Sequence, residues 1–298
     1  MKKLAICGCT GKQGGAVFDA MQNLENWEVT GFTRDLEQTK VRELKARGLT
    51  MLKGDLADLD SLEKAFEGAD AVFGLTQPWN KSYTNVDTEL ELNQGKNIVD
   101  ACLKAGVKHL VFSSAAHGET EKTGLPHVDI KIDIEEYTRT SGLSYTFLNP
   151  VQFMDNVGMR FLPVKKGRIR GFIDGDAKVP YVAVRDIGLV AKIAFEGGED
   201  FFGREIPLIG DLVTGMEMAA LFSKIRNEKF KYKVVPRWII RLISKEFYKM
   251  RLKFEEAGTT EETIERFREG ISECRFINPY LFSMEEYLKW EGWNSREL

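Results

Sequence analysis

Short apolar runs alternate with amphipathic stretches along the first half of the chain, and this alternation restricts the fold more than any other feature. Residues 4–7, 27–33, 49–53, 71–75, 109–113 and 145–148 read as strands. Helical patterns fall between them at 14–24, 36–47, 59–66, 88–104 and 128–141, and glycines at 48, 68, 106 and 142 stop four of these. Strands that are apolar throughout and separated by helices belong to a parallel sheet covered on both faces. Right-handed crossovers then make the sheet doubly wound. The fold class expected is α/β, a doubly wound parallel (Rossmann) sheet. After Pro150 the alternation weakens. Stretches 179–184, 187–195 and 206–209 read as segments returning to the main sheet, whereas 216–226, 236–256, 260–271 and 283–291 read as helices. The expected organisation is a nucleotide-binding domain over 1–150, with returning segments over 179–210, and a smaller mixed, mainly helical lobe over 151–298.

The first strand runs directly into Gly8-Cys9-Thr10-Gly11-Lys12-Gln13-Gly14-Gly15, which opens the first helix. Glycines in such a turn let the backbone approach a pyrophosphate, whose charge is stabilised at the helix N-terminus. The spacing is G-x-x-G-x-x-G, and the strand-turn-helix context gives it meaning that the pattern alone lacks. Arg34 follows the second strand, where an arginine suits a ribose 2′-phosphate and an acid would suit free hydroxyls. NADP(H) is therefore expected over NAD(H). After the third strand, Asp55 and Leu56 stand where an adenine is met, although Asp55 or Asp58 serves equally well as a helix N-cap. Thr76 and Gln77 follow the fourth strand, and Ser113 and Ser114 the fifth. Ligands of open α/β sheets sit beyond these carboxyl ends.

Bulk composition sets boundaries on the rest. The 42 basic and 45 acidic side chains give a formal charge of −3, which argues against a non-specific nucleic-acid surface. Four cysteines, at 7, 9, 102 and 274, form neither a disulfide framework nor a paired metal-ligand spacing, so no metal is expected. No run reaches membrane-spanning length, and the N-terminal apolar run is too short for a signal segment. We expect a cytoplasmic protein with no membrane partner and no direct nucleic-acid partner. The basic, amphipathic stretch 236–243 reads mainly as a core-facing helix, with a membrane-surface or partner helix as the alternative.

The glycine turn, Arg34, Gly54-Asp55 and Ser113-Ser114 together resemble the short-chain dehydrogenase/reductase superfamily. At the position of that group's Tyr-x-x-x-Lys this chain has His127-Val128-Asp129-Ile130-Lys131. Gly11-Lys12-Gln13-Gly14-Gly15, Glu135-Glu136-Tyr137, the run from Asn149 to Asn156 and Val184-Arg185-Asp186-Ile187-Gly188 are similar to the NmrA-like family of atypical members, particularly its NADPH-sensing (HSCARG-type) branch. The resemblance implies NADP(H) contacts at Gly8, Thr10, Gly11, Lys12, Gln13, Gly14, Arg34, Asp55, Leu56, Thr76, Gln77, Ser113, Lys131, Phe153 and Asn156. Gln38 replaces a second basic phosphate contact, which weakens the NADP preference.

The residues leave sensor and enzyme open. Hydride transfer to a carbonyl needs a proton donor beside the nascent alkoxide. His127 shares a helical face with Lys131 and is the candidate donor, although its ring is shorter than a tyrosine's. The expected function is an NADP(H)-binding redox sensor or regulator with a protein partner, and a homodimer is left open. The alternative is an NADPH-dependent reductase of a quinone or conjugated carbonyl, with Lys131 holding cofactor. The loops after Gln77 and Ser114 are the expected mobile parts.

Overall fold

The computed structural model describes residues 1–77, 86–117, 122–160 and 162–297, so most of the loop after Gln77 and the middle of the loop after Ser114 lie outside the described residues. The elements in chain order are β1 (Lys2–Ile6), α1 (Lys12–Met21), β2 (Trp27–Thr33), α2 (Thr39–Ala46), β3 (Thr50–Lys53), α3 (Leu59–Phe66), β4 (Ala71–Leu75), α4 (Thr88–Ala105), β5 (His109–Ser113), α5 (Pro126–Thr140) and β6 (Tyr145–Pro150). They continue with β7 (Gln152–Phe153), β8 (Val164–Lys165), β9 (Arg168–Gly171), β10 (Val179–Val182), α6 (Val184–Gly197), β11 (Arg204–Leu208), β12 (Asp211–Val213), α7 (Gly215–Arg226), β13 (Lys231–Val234), α8 (Arg237–Ile243), α9 (Lys245–Ala257), α10 (Glu261–Ile277) and α11 (Met284–Trp290).

The chain divides into two compact units, 1–149 with 187–206, and 150–186 with 207–298. The first unit is built on a seven-stranded sheet in the order β11-β6-β5-β4-β1-β2-β3. Strands β1 to β6 pair in parallel. Strand order reverses between β1 and β4, which is where a doubly wound sheet opens a crevice. Val72, Phe112, Phe147, Ile98 and Ile134 are fully buried in the core on one side of the sheet. Leu4, Ile6, Val111 and Leu148, which alternate with that face along their strands, are also fully buried, and burial on both faces explains why the strands read as unbroken apolar runs. Asp58 caps α3 through the Ser61 amide, and Asp87 caps α4 through the Leu90 amide.

The second unit holds two three-stranded sheets, β12-β10-β7 and β13-β9-β8. Within the stretch 179–210, β10 pairs antiparallel with β12 and parallel with β7, while residues 187–206 belong to the first unit. Tyr181, Phe222, Tyr287 and Trp293 anchor a separate core. Capping boxes at Thr214/Glu217 and Ser283/Glu286 start α7 and α11. The single helix expected over 236–256 is two helices. Ser244 adopts an extended conformation (φ −158°, ψ 124°) and its hydroxyl accepts from the Phe247 amide, so it ends α8 and caps α9. Among the described residues, no helix is long and apolar enough to cross a membrane.

Two buried groups titrate in opposite senses. His109 is 4% exposed, and its Nε2 lies 2.8 Å from Thr146 Oγ1, whose hydroxyl donates to the Phe201 carbonyl. Nε2–H therefore donates to Thr146, and burial pulls the imidazole down to about 4. The unfolded chain binds a proton here that the folded chain refuses, so acidification from about pH 6.5 to 4 costs about 3 kcal/mol. Asp186 is fully buried, and burial raises its carboxyl to about 6 against the opposing pull of the Phe282 amide and Arg185. Here the folded chain takes up the extra proton, so acidification over the same range restores about 3 kcal/mol. The two contributions nearly cancel. Asp186→Asn removes only the restoring one, so urea unfolding should show it losing about 3 kcal/mol more than the parent between pH 6.5 and 4. Parallel pH profiles would refute the assignment.

Candidate functional site

The turn after β1 is a tight one. Gly8 adopts φ +63°, and the Gly11 amide donates to the Gly8 carbonyl at 2.8 Å. A Cβ on Gly14 would lie 2.5 Å from the Gly8 carbonyl carbon and oxygen and 2.6 Å from the Cys7 oxygen, so only glycine lets α1 start this close to β1. Gly11 is the N-cap of α1 with no side-chain cap, and no acid occupies the first helical turn. The positive end of the helix dipole is thus left for an anion. Thr10 and Gln13 are half-buried, and Lys12 is exposed. Across the crevice, Ser113 Oγ at the end of β5 donates to Gln13 Oε1 at 2.6 Å.

Beyond β4, three side chains form a buried cluster. Thr76 Oγ1 donates to Glu91 Oε1 at 2.7 Å. The Lys131 ammonium lies 2.6 Å from Thr76 Oγ1, 3.0 Å from the Thr76 carbonyl and 2.8 Å from Glu91 Oε1. Lys131 is only 5% exposed, which excludes an ordinary surface lysine. Glu91 is fully buried and its Oε2 has no partner among the described residues. A nearly buried charge pair with one acceptor unused is a polar site that can take a further donor. The ribose hydroxyls of a nucleotide in the crevice are donors of that kind.

The other expected residues are distributed as follows. Arg34 is exposed just after β2, and Gln77 is exposed after Thr76. The Asp55 carboxylate accepts from the Ala57 amide while Asp58 caps α3, so the N-cap belongs to Asp58. The Leu56 carbonyl accepts from Asn97 Nδ2. His127 is half-buried in the first turn of α5, one turn before Lys131. Phe153 and Asn156 belong to the second unit, in β7 and just after it. Cys9 packs against Phe32 and Met51, and burial pushes its thiol up to about 11, which makes it a poor nucleophile.

Sequence reasoning missed two buried carboxylates. Glu91 stands in a run of acids on α4 that carries no distinguishing signal. Glu135 is fully buried and accepts from Ser114 Oγ and from Arg139 Nη2 (2.8 Å), and His117 Nε2 stands 3.1 Å from its Oε2. A signal for Glu135 existed, because His127, Lys131, Glu135 and Arg139 recur every four residues and share one face of α5.

A doubly wound sheet with an uncapped glycine turn, a basic residue after β2 and a buried lysine beyond β4 defines the class of Rossmann-type dinucleotide-binding proteins. The chain belongs to the NmrA-like family, whose model matches residues 1–293. The NmrA-like family domain-containing oxidoreductase FrzB of Cladobotryum sp is 28% identical over 258 residues, covering 79% of this chain and 77% of FrzB. The crystal structure of NmrA, a negative transcriptional regulator, in complex with NADP superposes with a TM-score of 0.75 at 21% identity, over 96% of this chain and 94% of that one. The NADPH-dependent quinone oxidoreductase QOR2 of Escherichia coli, complexed with NADPH, gives 0.74 at 20% identity, over 97% and 99%.

Proposed function

We propose that the protein binds NADP(H) in the crevice at the carboxyl ends of β1 and β4 and works as a redox-responsive regulator. The observation that carries this reading is the Lys131-Thr76-Glu91 cluster. All three acceptors around the Lys131 ammonium belong to the protein, and Thr76 opens the connection after β4. Nucleotide hydroxyls that reach Lys131 exchange with those acceptors, so occupancy is coupled to the backbone beyond β4. Regulation follows only if the two redox forms differ in affinity between two conformations. The pyrophosphate falls at the Gly8–Gly14 turn, the 2′-phosphate at Arg34 and the adenine near Asp55 and Leu56. Thr10, Lys12, Gln13, Gln77 and Ser113 line the same crevice.

A second reading, reduction of a quinone or conjugated carbonyl, is favoured by His127 one turn from Lys131 and by the oxidoreductase relatives. Bound NADPH would supply the hydride. His127 then holds the proton for the acceptor oxygen, and Lys131 orients the nucleotide. The chain lacks the usual tyrosine, so an acceptor that water can protonate is the one this site suits.

Calorimetric titration with NADPH and NADP⁺, beside NADPH consumption against a panel of quinones and enones, separates the readings. Tight, redox-dependent binding without turnover supports the regulator. Turnover supports the reductase, and its loss in His127→Phe makes His127 rather than water the proton donor. Failure to bind either nucleotide refutes both.

Arg34→Ala tests the phosphate assignment by itself. A charge-assisted contact is worth about 1.5–3 kcal/mol, so NADPH affinity should fall about 10- to 100-fold while NADH affinity holds. Equal losses for both nucleotides would remove Arg34 from the 2′-phosphate.

A further inference from the structure

The chain's basic charge is not evenly spread. Between Lys229 and Lys253 stand nine lysines and arginines and a single acid, Glu246, a net +8 in a protein of −3 overall. The segment covers edge strand β13, α8 and most of α9, all in the second unit. Glu255 takes up two of the arginines, Arg237 at 2.7 Å and Arg251 at 2.6 Å. Outside that pairing, Lys229, Lys231, Lys233, Arg241, Lys245, Lys249 and Lys253 are exposed.

Large apolar side chains are exposed within this field. Trp238 is 66% exposed, Leu242 77% and Ile243 53%, while only Ile240 turns inward. The core-facing helix expected over 236–243 is thus mostly inverted. Trp238 and Leu242 lie four apart on one stripe of α8, and Arg237 and Arg241 form the adjacent stripe. Solvent-exposed tryptophan and leucine rimmed by cations are costly unless something covers them.

We propose that this face is a docking surface for an anionic phospholipid bilayer, with Trp238, Leu242 and Ile243 entering the headgroup region and the surrounding lysines meeting lipid phosphates and carboxylates. Three features select a lipid surface over a protein or nucleic acid. Tryptophan and aliphatic side chains beside cations are the pattern of helices that lie in the interface. Of the seven exposed cations outside the Glu255 pairing six are lysines, which are depleted from protein interfaces and lack the planar fork used in base recognition. The cations come from a strand and two helices rather than one groove-sized element, so they match a diffuse sheet of negative charge. With seven residues, α8 lies on the surface and does not cross it. For this face the proposal departs from the expected absence of a membrane partner.

The test is sedimentation of the full-length protein with phosphatidylcholine vesicles, with and without phosphatidylserine. The protein should pellet with the mixed vesicles, stay soluble with phosphatidylcholine alone, and be released by salt. Each cation near an anionic leaflet is worth about fivefold in affinity, so Lys245→Gln/Lys249→Gln should bind about 25-fold more weakly. Trp238→Ser/Leu242→Ser should lose most vesicle retention with an unchanged melting temperature. The proposal is overturned by no pelleting at low salt, or by equal pelleting with both vesicle types. Binding that the apolar variant leaves intact and duplex DNA competes away would mean a general polyanion surface instead. Self-association that the same variant abolishes, without vesicle binding, would make the face a contact between two copies of this chain.

Discussion

Gly14→Ala should reduce nucleotide affinity by about a hundredfold and lower stability by about 1–3 kcal/mol, while Gly15→Ala one residue later should do neither. A methyl group at Gly14 would meet the Gly8 and Cys7 backbone at 2.5–2.6 Å, and backbone cannot rotate aside as a side-chain tip can. The helix must retreat from β1, and the amides of its first turn retreat with it. At Gly15 the same methyl would sit 3.5 Å from the Cys9 oxygen, an ordinary contact. There, alanine's better helix propensity should add up to about 1 kcal/mol. Calorimetry with NADPH and thermal melts on the two variants decide the matter. A Gly14→Ala protein that binds like the parent would show that this turn does not cradle the phosphates.

Lys131→Met should destabilise the protein by about 3–5 kcal/mol, because it strands the fully buried Glu91 carboxylate without its cation. Lys131→Met/Glu91→Gln should recover most of that loss. A neutral amide still accepts from Thr76 Oγ1, and a buried ion pair replaced as a whole is often close to neutral. Nucleotide affinity separates structure from function: it should stay low in the double variant, since its lysine is still missing. Recovered NADPH binding alongside recovered stability would reduce Lys131 to a structural role. Measuring both quantities through the full double-mutant cycle gives the coupling between Lys131 and Glu91 directly.

The elements whose limits were legible are those with strong local edges. β2, α3, β4 and β5 occupy the residues that their apolar runs, caps and glycine stops indicate. The small strands β7, β8, β9, β12 and β13 are two to four residues long and carry no periodicity of their own. They exist because a distant segment offers them hydrogen bonds, as β13 does along β9. Ser244 misled for a related reason. A serine within an apolar-periodic stretch reads as a tolerated helical residue, and only the turn of the chain there makes it a cap.

At the candidate site the same division holds. The glycine turn, Arg34 and the paired serines stand at strand ends, and Lys131 stands on the helix after β5; strand ends and helices of this length are a property of local pattern. Glu91 was invisible because a buried carboxylate and a solvated one have the same letter, and Glu135 showed only as a position on the His127–Lys131 face of α5, since burial depends on which helix packs above it. Local pattern alone therefore determined the doubly wound sheet and the glycine turn that follows β1. Folding in three dimensions decided which acids partner Lys131, His117 and Arg139, and which face of α8 meets water, because desolvation is set by neighbours that no local stretch of residues contains.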